Sequence, residues 1–306
     1  MNWFLIALLP PIFWSITNHI DKYLLSKYFK GGAIGSVIIF SAAISLLLLP
    51  IIIIIHPAVL QTFNLSYLLI ALNGTFYLLA TLPYFYALEK DDASLTVPLF
   101  QMIPVFSFVL GYIFLKETLN TTQIVGGLVI LVSSIFISLN ISDIKKMRMK
   151  WDVFGLMVLS SLLYALNFLF FKHFAIETNF WITSFWEYIG FAFFGIFLLA
   201  FVKNYRRGFF NVLRTNKLQV LGINGLNEII NIIAKISFNV ASILTPVTLV
   251  WIINGLQPLF VFVFGILLTV LFPKISKEDI SKKTLIQRII AIVVITIGAY
   301  LVNRAS

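Results

Sequence analysis

Six polar residues stand at helical spacing within one apolar stretch: Asn224, Asn227, Glu228, Asn231, Lys235 and Asn239, separated by 3, 1, 3, 4 and 4 positions. At 3.6 residues per turn they share an arc of about 120°. Leu221, Ile223, Leu226, Ile229, Ile230, Ile232 and Ile233 fill the remaining positions, so one face is polar and the other apolar. An ionised side chain at the centre of a membrane helix costs on the order of 2.5–3.5 kcal/mol. Glu228 must therefore face a cavity, find a partner or carry a proton. Lys235, two turns further on, either snorkels to the interface or joins Glu228 in binding the charged groups of a cargo. Glu187, after Trp186, is a candidate partner for Lys235, which makes Glu228, Lys235 and Glu187 the candidate ion-coupling groups. Asparagines that merely join helices contribute about 0.6 kcal/mol each. That role accounts for one or two of them and poorly for a whole stripe.

Other segments present faces of the same kind. Trp14, Asn18 and Lys22 are four apart, with Ser15 and Asp21 beside them, and Tyr77, Thr81 and Tyr84 run along one side of another segment. Gln101 stands one turn before Pro104, Tyr164 and Asn167 share a face that leads to Lys172, and Trp251, Asn254 and Gln257 are three apart. Taken singly, each has a structural reading, since aromatic rings anchor span ends at the interface. Taken together, amides with indole and phenol rings describe a pocket for a small amphipathic molecule oriented by a few polar groups. The candidate substrate-binding set is Trp14, Asn18, Tyr77, Tyr84, Gln101, Tyr164, Asn167, Asn224, Asn227, Glu228, Asn231, Lys235, Trp251, Asn254 and Gln257.

The elements that must hold these residues are membrane helices. The chain is 60% hydrophobic and 11% charged, against about 25% charged in soluble domains. A crossing helix needs about 20 apolar residues. Counting at that scale gives ten spans, near 3–21, 34–55, 66–88, 93–115, 121–141, 152–172, 181–202, 218–240, 246–271 and 285–303. The first span lacks a charged leader and a small-residue cleavage site, and so reads as an anchor. Pro10, Pro11, Pro83, Pro98, Pro104 and Pro258 fall in or at the ends of spans. They either kink helices for packing or, at Pro98 and Pro104, let the fourth span bend during gating. Lys116-Glu117 at the end of that span reads as an interfacial ion pair.

The spans repeat. Trp14-Ser15 with Lys22 recurs as Tyr164-Ala165 with Lys172, and Pro104-Val105-Phe106 with Gly111 recurs as Pro258-Leu259-Phe260 with Gly265. The expected architecture is an all-α integral membrane protein of ten transmembrane helices in two inverted five-helix repeats. Residues 1–142 form the first repeat, 143–150 a basic linker and 151–306 the second. An odd number of spans per repeat makes the halves enter the membrane in opposite directions, the arrangement that permits alternating access with a site at mid-membrane.

Composition also excludes function classes. With no cysteine there is no disulfide, thiolate metal site or cysteine nucleophile. The three histidines, His19, His56 and His173, have no metal-ligand spacing and pair with no nucleophile or carboxylate deep in a span, so neither a metal, a cofactor nor an intramembrane enzyme is expected. The net charge of +10 lies in loops between spans, where it sets orientation and does not signal nucleic acid. Lys and Arg cluster after spans 1, 5, 7 and 9, among them Lys145, Lys146, Arg148, Lys150, Arg206, Arg207 and Arg214. Their placement puts both termini outside the cytoplasm.

Phe13-Trp14-Ser15 with Lys22, its echo at Tyr164 and Lys172, Tyr86-Ala87-Leu88 followed by Ala93-Ser94, and Pro104-Val105-Phe106 leading to Lys116-Glu117-Thr118-Leu119 and Gln123-Ile124-Val125-Gly126 resemble the EamA-like members of the drug/metabolite transporter superfamily. The resemblance covers nearly the whole chain. It implies a secondary carrier whose cavity is lined by spans 1, 3, 4, 6, 8 and 9, and termini in the cytoplasm, opposite to the loop charges. The chain departs from the pattern in lacking an acidic residue directly after span 9 and in the charged insert from Lys274 to Thr284. The expected function is secondary transport of a small amphipathic metabolite, an amino-acid-like solute, nucleobase or drug, across the membrane by alternating access, with Glu228 placed for proton coupling. The alternative is a transporter or flippase of a lipid-linked or amphipathic membrane substrate. Expected partners are the small-molecule substrate and the lipid bilayer, as a monomer or homodimer. Richness in Ile, Phe, Asn and Lys is compatible with a bacterial chain from an AT-rich genome, and the expected location is the bacterial cytoplasmic (inner) membrane.

Overall fold

In hydrocarbon, backbone N–H and C=O groups have no water to bond, so a long apolar run satisfies them by coiling into a helix. The computed structural model of the chain describes residues 2–29, 34–60, 63–90, 96–138, 150–271 and 281–304, and these are 91% helical with no strand. In order the apolar helices are α1 (Trp3–Lys27), α2 (Ile34–Ile55), α3 (Ser66–Lys90), α4 (Leu99–Leu115), α5 (Thr121–Phe136), α6 (Trp151–Glu177), α7 (Phe180–Phe201), α8 (Lys217–Leu244), α9 (Val247–Leu271) and α10 (Thr284–Arg304). Among the described residues, eight are long and apolar enough to cross a membrane. The other two, α4 and α5, are shorter and lie where the fourth and fifth spans were expected. Ala93-Ser94, the basic residues 143–149 and the insert residues 274–280 lie outside the described residues.

Most of the prolines stand at segment starts, where a missing N–H costs nothing. Pro10 and Pro11 follow the break at Leu8 in α1, Pro98 lies in the opening 3₁₀ turn Val97–Gln101, and Pro104 and Pro258 fall in the first turns of Met102–Leu110 and Gln257–Leu271. Pro98 and Pro104 thus stand at a change of helix type, and Pro83 sits well inside a helix.

Several of the helix pairings have a counterpart when α1–α5 are exchanged with α6–α10. Helix α3 packs on α6 as α8 packs on α1, α4 on α6 as α9 on α1, and α3 on α7 as α8 on α2, while α2 meets α7, α4 meets α9 and α5 meets α10. Two of these contacts are made by backbone. A Cβ on Gly74 would lie 2.2 Å from the Glu187 carbonyl oxygen, and one on Gly190 would lie 1.9 Å from that of Ala71, so α3 and α7 touch along their main chains. Gly126 and Gly298 do the same for α5 and α10, each Cβ falling 2.9 Å from the other's carbonyl oxygen. Small residues of this kind let helices approach where apolar burial gives no drive between them. Around the outside, Ile54, Leu68, Val132, Phe193 and Val293 are about half exposed or more, a surface suited to lipid.

Candidate functional site

The polar faces converge on one cavity of about 110 Å³, lined from α1, α2, α3, α4, α6, α7, α8 and α9. At roughly 12 Å³ per water-sized group this is room for about nine such groups. Helix α1 contributes Trp14, Thr17, Asn18 and Asp21, α3 contributes Tyr77, Leu78, Thr81, Tyr84 and Phe85, and α8 contributes Asn227, Glu228 and Asn231. Ile38, Ser41 and Ser45 come from α2, Phe100 and Ile103 from α4, Tyr164 and Phe168 from α6, Phe191 from α7, and Trp251, Asn254 and Gln257 from α9.

The two carboxylates are held by neutral groups. The Ser41 hydroxyl donates to Glu228 Oε1 at 2.5 Å, and Asn231 Nδ2 approaches Glu228 Oε2 at 3.4 Å. Asn227 Nδ2 donates to Asp21 Oδ1 at 2.7 Å, tying α8 to α1. Asn231 Oδ1 accepts from the Trp14 indole at 2.9 Å and from the Tyr77 hydroxyl at 3.1 Å, and the Thr81 and Tyr164 hydroxyls meet at 2.9 Å. Trp14 stacks on Trp251 with ring centroids 6.0 Å apart and planes 14° apart, and Phe168 meets Trp251 edge-on at 5.1 Å. The walls are therefore aromatic and the polar groups sit between the rings.

Four of the expected lining residues lie elsewhere. Lys235 does not snorkel: it is 1% exposed, and its Nζ lies 3.2 Å from Glu187 Oε1 and 3.3 Å from Asn167 Oδ1. It also lies 4.5 Å from the Tyr77 ring and 4.3 Å from the Phe168 ring, so those rings separate it from the cavity they line. Asn167 completes this second cluster, donating to Glu187 Oε1 at 3.0 Å and to the Asn73 carbonyl at 2.9 Å, while Asn73 donates to the Asn167 carbonyl at 3.0 Å. Asn224 is fully buried on the same helix as the stripe but off the cavity. Gln101 belongs to a small recess with Pro104, Gly255 and Pro258, where α4 meets α9. Glu187 and Lys235 form a closed pair, and of the three expected ion-coupling groups only Glu228 reaches the cavity.

A third charged group closes one end of the bundle. Glu117, just beyond α4, does not pair with Lys116, which is exposed and donates to the Ile113 carbonyl. It pairs instead with Lys172 of α6 at 2.5 Å, with both side chains about nine-tenths buried. Lys172 also donates to the Thr245 carbonyl at 2.7 Å, and the Val247 N–H donates to Glu117 Oε2 at 2.9 Å, so the start of α9 is pinned to the ends of α4 and α6. Lys22, the echo of Lys172, is exposed, and its neighbour Asp21 is the residue on the cavity.

The lining residues missed in the sequence are chiefly Asp21, Ser41 and the rings of Phe100, Phe168 and Phe191. Asp21 carried a signal. Seven residues after Trp14 it lies about 20° from it around the helix, whereas Lys22 lies about 80° away.

Residues 1–139 match the model of the EamA-like transporter family. An uncharacterized protein from Methanocaldococcus jannaschii is 33% identical over 69 residues, 22% of this chain, and the match spans half the length of that relative. A solved crystal structure of another protein superposes with a TM-score of 0.65 at 14% identity, over 98% of this chain and 95% of that one, which extends the shared fold to nearly the whole chain. The first 139 residues are accordingly similar to the EamA-like transporter family, in a chain with eight described helices long and apolar enough to cross a membrane.

Proposed function

We propose that the protein is a secondary transporter that carries a small polar solute across the membrane by alternating access between two inverted five-helix repeats. The observation that carries this reading is the cavity itself, a mid-helix chamber built from both halves and containing Glu228 and Asp21. It reaches toward the ends of α1 and α3 through Asp21, Tyr84 and Phe85. On the other side stand the Lys235–Glu187–Asn167 cluster and then the Lys172–Glu117 pair. A chamber set nearer one group of helix ends, with buried ion pairs beyond its other end, fits one of the two conformations that alternating access requires. The helix pairings that have exchanged counterparts support a second, related one. A capacity of about 110 Å³ between carboxylates favours a small solute over a lipid-linked cargo.

The chain contains no cysteine, so single reporters can be placed on an unmodified background. Phe85→Cys reports the side where the chamber nears the ends of α1 and α3, and Thr245→Cys the side of the buried Lys172–Glu117 pair; both parent residues are buried. Under alternating access, conditions that raise labelling of one by a membrane-impermeant maleimide lower labelling of the other. Labelling that stays fixed, or moves together at both positions, refutes the mechanism.

A further inference from the structure

The charges at membrane depth can be balanced one against another. Lys235 lies against Glu187 and Lys172 against Glu117, which settles both buried lysines. Glu228 and Asp21 are left over, and both line the cavity. Among the described residues no lysine, arginine or histidine lines it. His19 is turned to the Val261 carbonyl at 3.0 Å. The nearest buried cation, Lys235, is already neutralised and lies behind the Tyr77 and Phe168 rings. Two carboxylates removed from water without a fixed counter-ion call for a mobile one.

A second observation concerns what surrounds those carboxylates. Rings of Trp14, Tyr77, Tyr84, Tyr164, Phe168 and Trp251 line the same chamber, and a cation over an aromatic face gains about 0.5–2 kcal/mol, more when desolvated. Negative charge and aromatic faces complement a positively charged N–H donor, whereas a carboxylate or phosphate would meet two like charges and no cation.

We propose that the cargo is a small organic amine, bound as its ammonium form between Asp21 and Glu228 and exchanged for protons. Charge neutrality sets the exchange: the bound ammonium balances one carboxylate and a retained proton the other, and when the ammonium leaves one further proton from water takes its place, to be released when the ammonium returns. The titratable groups facing the chamber are the two carboxylates and the phenols of Tyr77, Tyr84 and Tyr164, and a proton on either carboxylate competes with the ammonium. Amine binding therefore strengthens as pH rises and protons cease to compete. This inference rests on the reading of the cavity as the cargo site.

The test uses the purified full-length protein and four compounds of similar size: butylammonium, butanol, butyrate and alanine. Thermal stability is followed for wild type, Asp21→Asn and Glu228→Gln, because a ligand of the folded state raises the melting temperature by mass action. The expected result is a rise with butylammonium alone, greater at pH 8 than at pH 5, with at least tenfold weaker binding in each variant. Calorimetry on wild type in buffers of different ionisation enthalpy should show protons released as the amine binds, a readout independent of whether the variants fold well. An equal or larger rise with butyrate or alanine, retention of the butylammonium effect in both variants, or amine binding without proton release overturns the amine assignment and leaves the transporter reading in place. Silence from all four compounds overturns the amine assignment and the cavity as cargo site together. The anticorrelated cysteine labelling still judges alternating access separately.

Discussion

Replacing Glu117 by Gln tests whether the buried pair at the closed end acts as a latch or only as a staple. The substitution keeps the shape and a hydrogen-bond acceptor for the Val247 N–H but removes the charge that faces Lys172 at 2.5 Å. Removing one partner of a buried pair costs about 3–5 kcal/mol, because the remaining charge stays out of water. Both side chains retain about a tenth of their exposure, so the lower end of that range applies. A conformation in which the ends of α4 and α6 separate from the start of α9 would hydrate Lys172 and escape the cost. The balance between closed and open forms at this end should then shift by roughly a hundredfold, at 1.4 kcal/mol per factor of ten. The assay is the rate at which Thr245→Cys, 8% exposed in the parent residue, reacts with an impermeant maleimide. In Glu117→Gln the rate should rise at least tenfold with only a modest drop in melting temperature. An unchanged labelling rate together with a stability loss of the full 3 kcal/mol would refute the latch, since the strained closed form would then be the sole folded state.

Other outcomes follow from the remaining clusters. Lys235→Met alone should destabilise by about 3–5 kcal/mol, while Lys235→Met with Glu187→Gln should recover much of the loss; strictly additive losses in thermal denaturation would contradict the pairing. Gly74→Ala and Gly190→Ala each drive a methyl group into a facing carbonyl and should cost about 1–3 kcal/mol, whereas Gly155→Ala, with nothing within 4 Å, should be neutral or slightly stabilising in the same melt. Ser41→Ala removes the shortest contact to Glu228 and should weaken ammonium binding about tenfold, measured by calorimetry, without altering the maleimide reactivity of Thr245→Cys.

Much of this site could be read from residue spacing, and the misreadings have identifiable causes. Asn227, Glu228 and Asn231 were found because period 3.6 in an apolar segment leaves little choice of face. Asn224 and Lys235 share that stripe, yet a stripe spans the helix length and the cavity does not. Lys235 is long enough to reach Glu187 of α7, a neighbour that only the tertiary structure reveals. Gln101 and Phe100 illustrate another limit. The 3₁₀ turn Val97–Gln101 changes the angular step, so the ring lines the cavity and the amide enters the α4–α9 contact. Lys22 echoes Lys172 in the repeat, whereas helical arithmetic places Asp21 on the face of Trp14. The echo has its own content. Leu271 stands 154 positions after Glu117, so Lys22 has no carboxylate equivalent to the one that holds Lys172. The chain had already shown this difference as the missing acidic residue after span 9.

The glycine contacts carry a kinematic consequence. Where two backbones touch, as at Gly74 with Glu187 and Gly190 with Ala71, the helices can pivot slightly but cannot slide by a side chain's width. Helix α3 belongs to the first half of the chain and α7 to the second, and the same is true of α5 and α10 with Gly126 and Gly298. Each backbone seam thus sutures one half to the other. Helices α3 and α7, and likewise α5 and α10, are thereby held as pairs that each draw one member from either half of the chain.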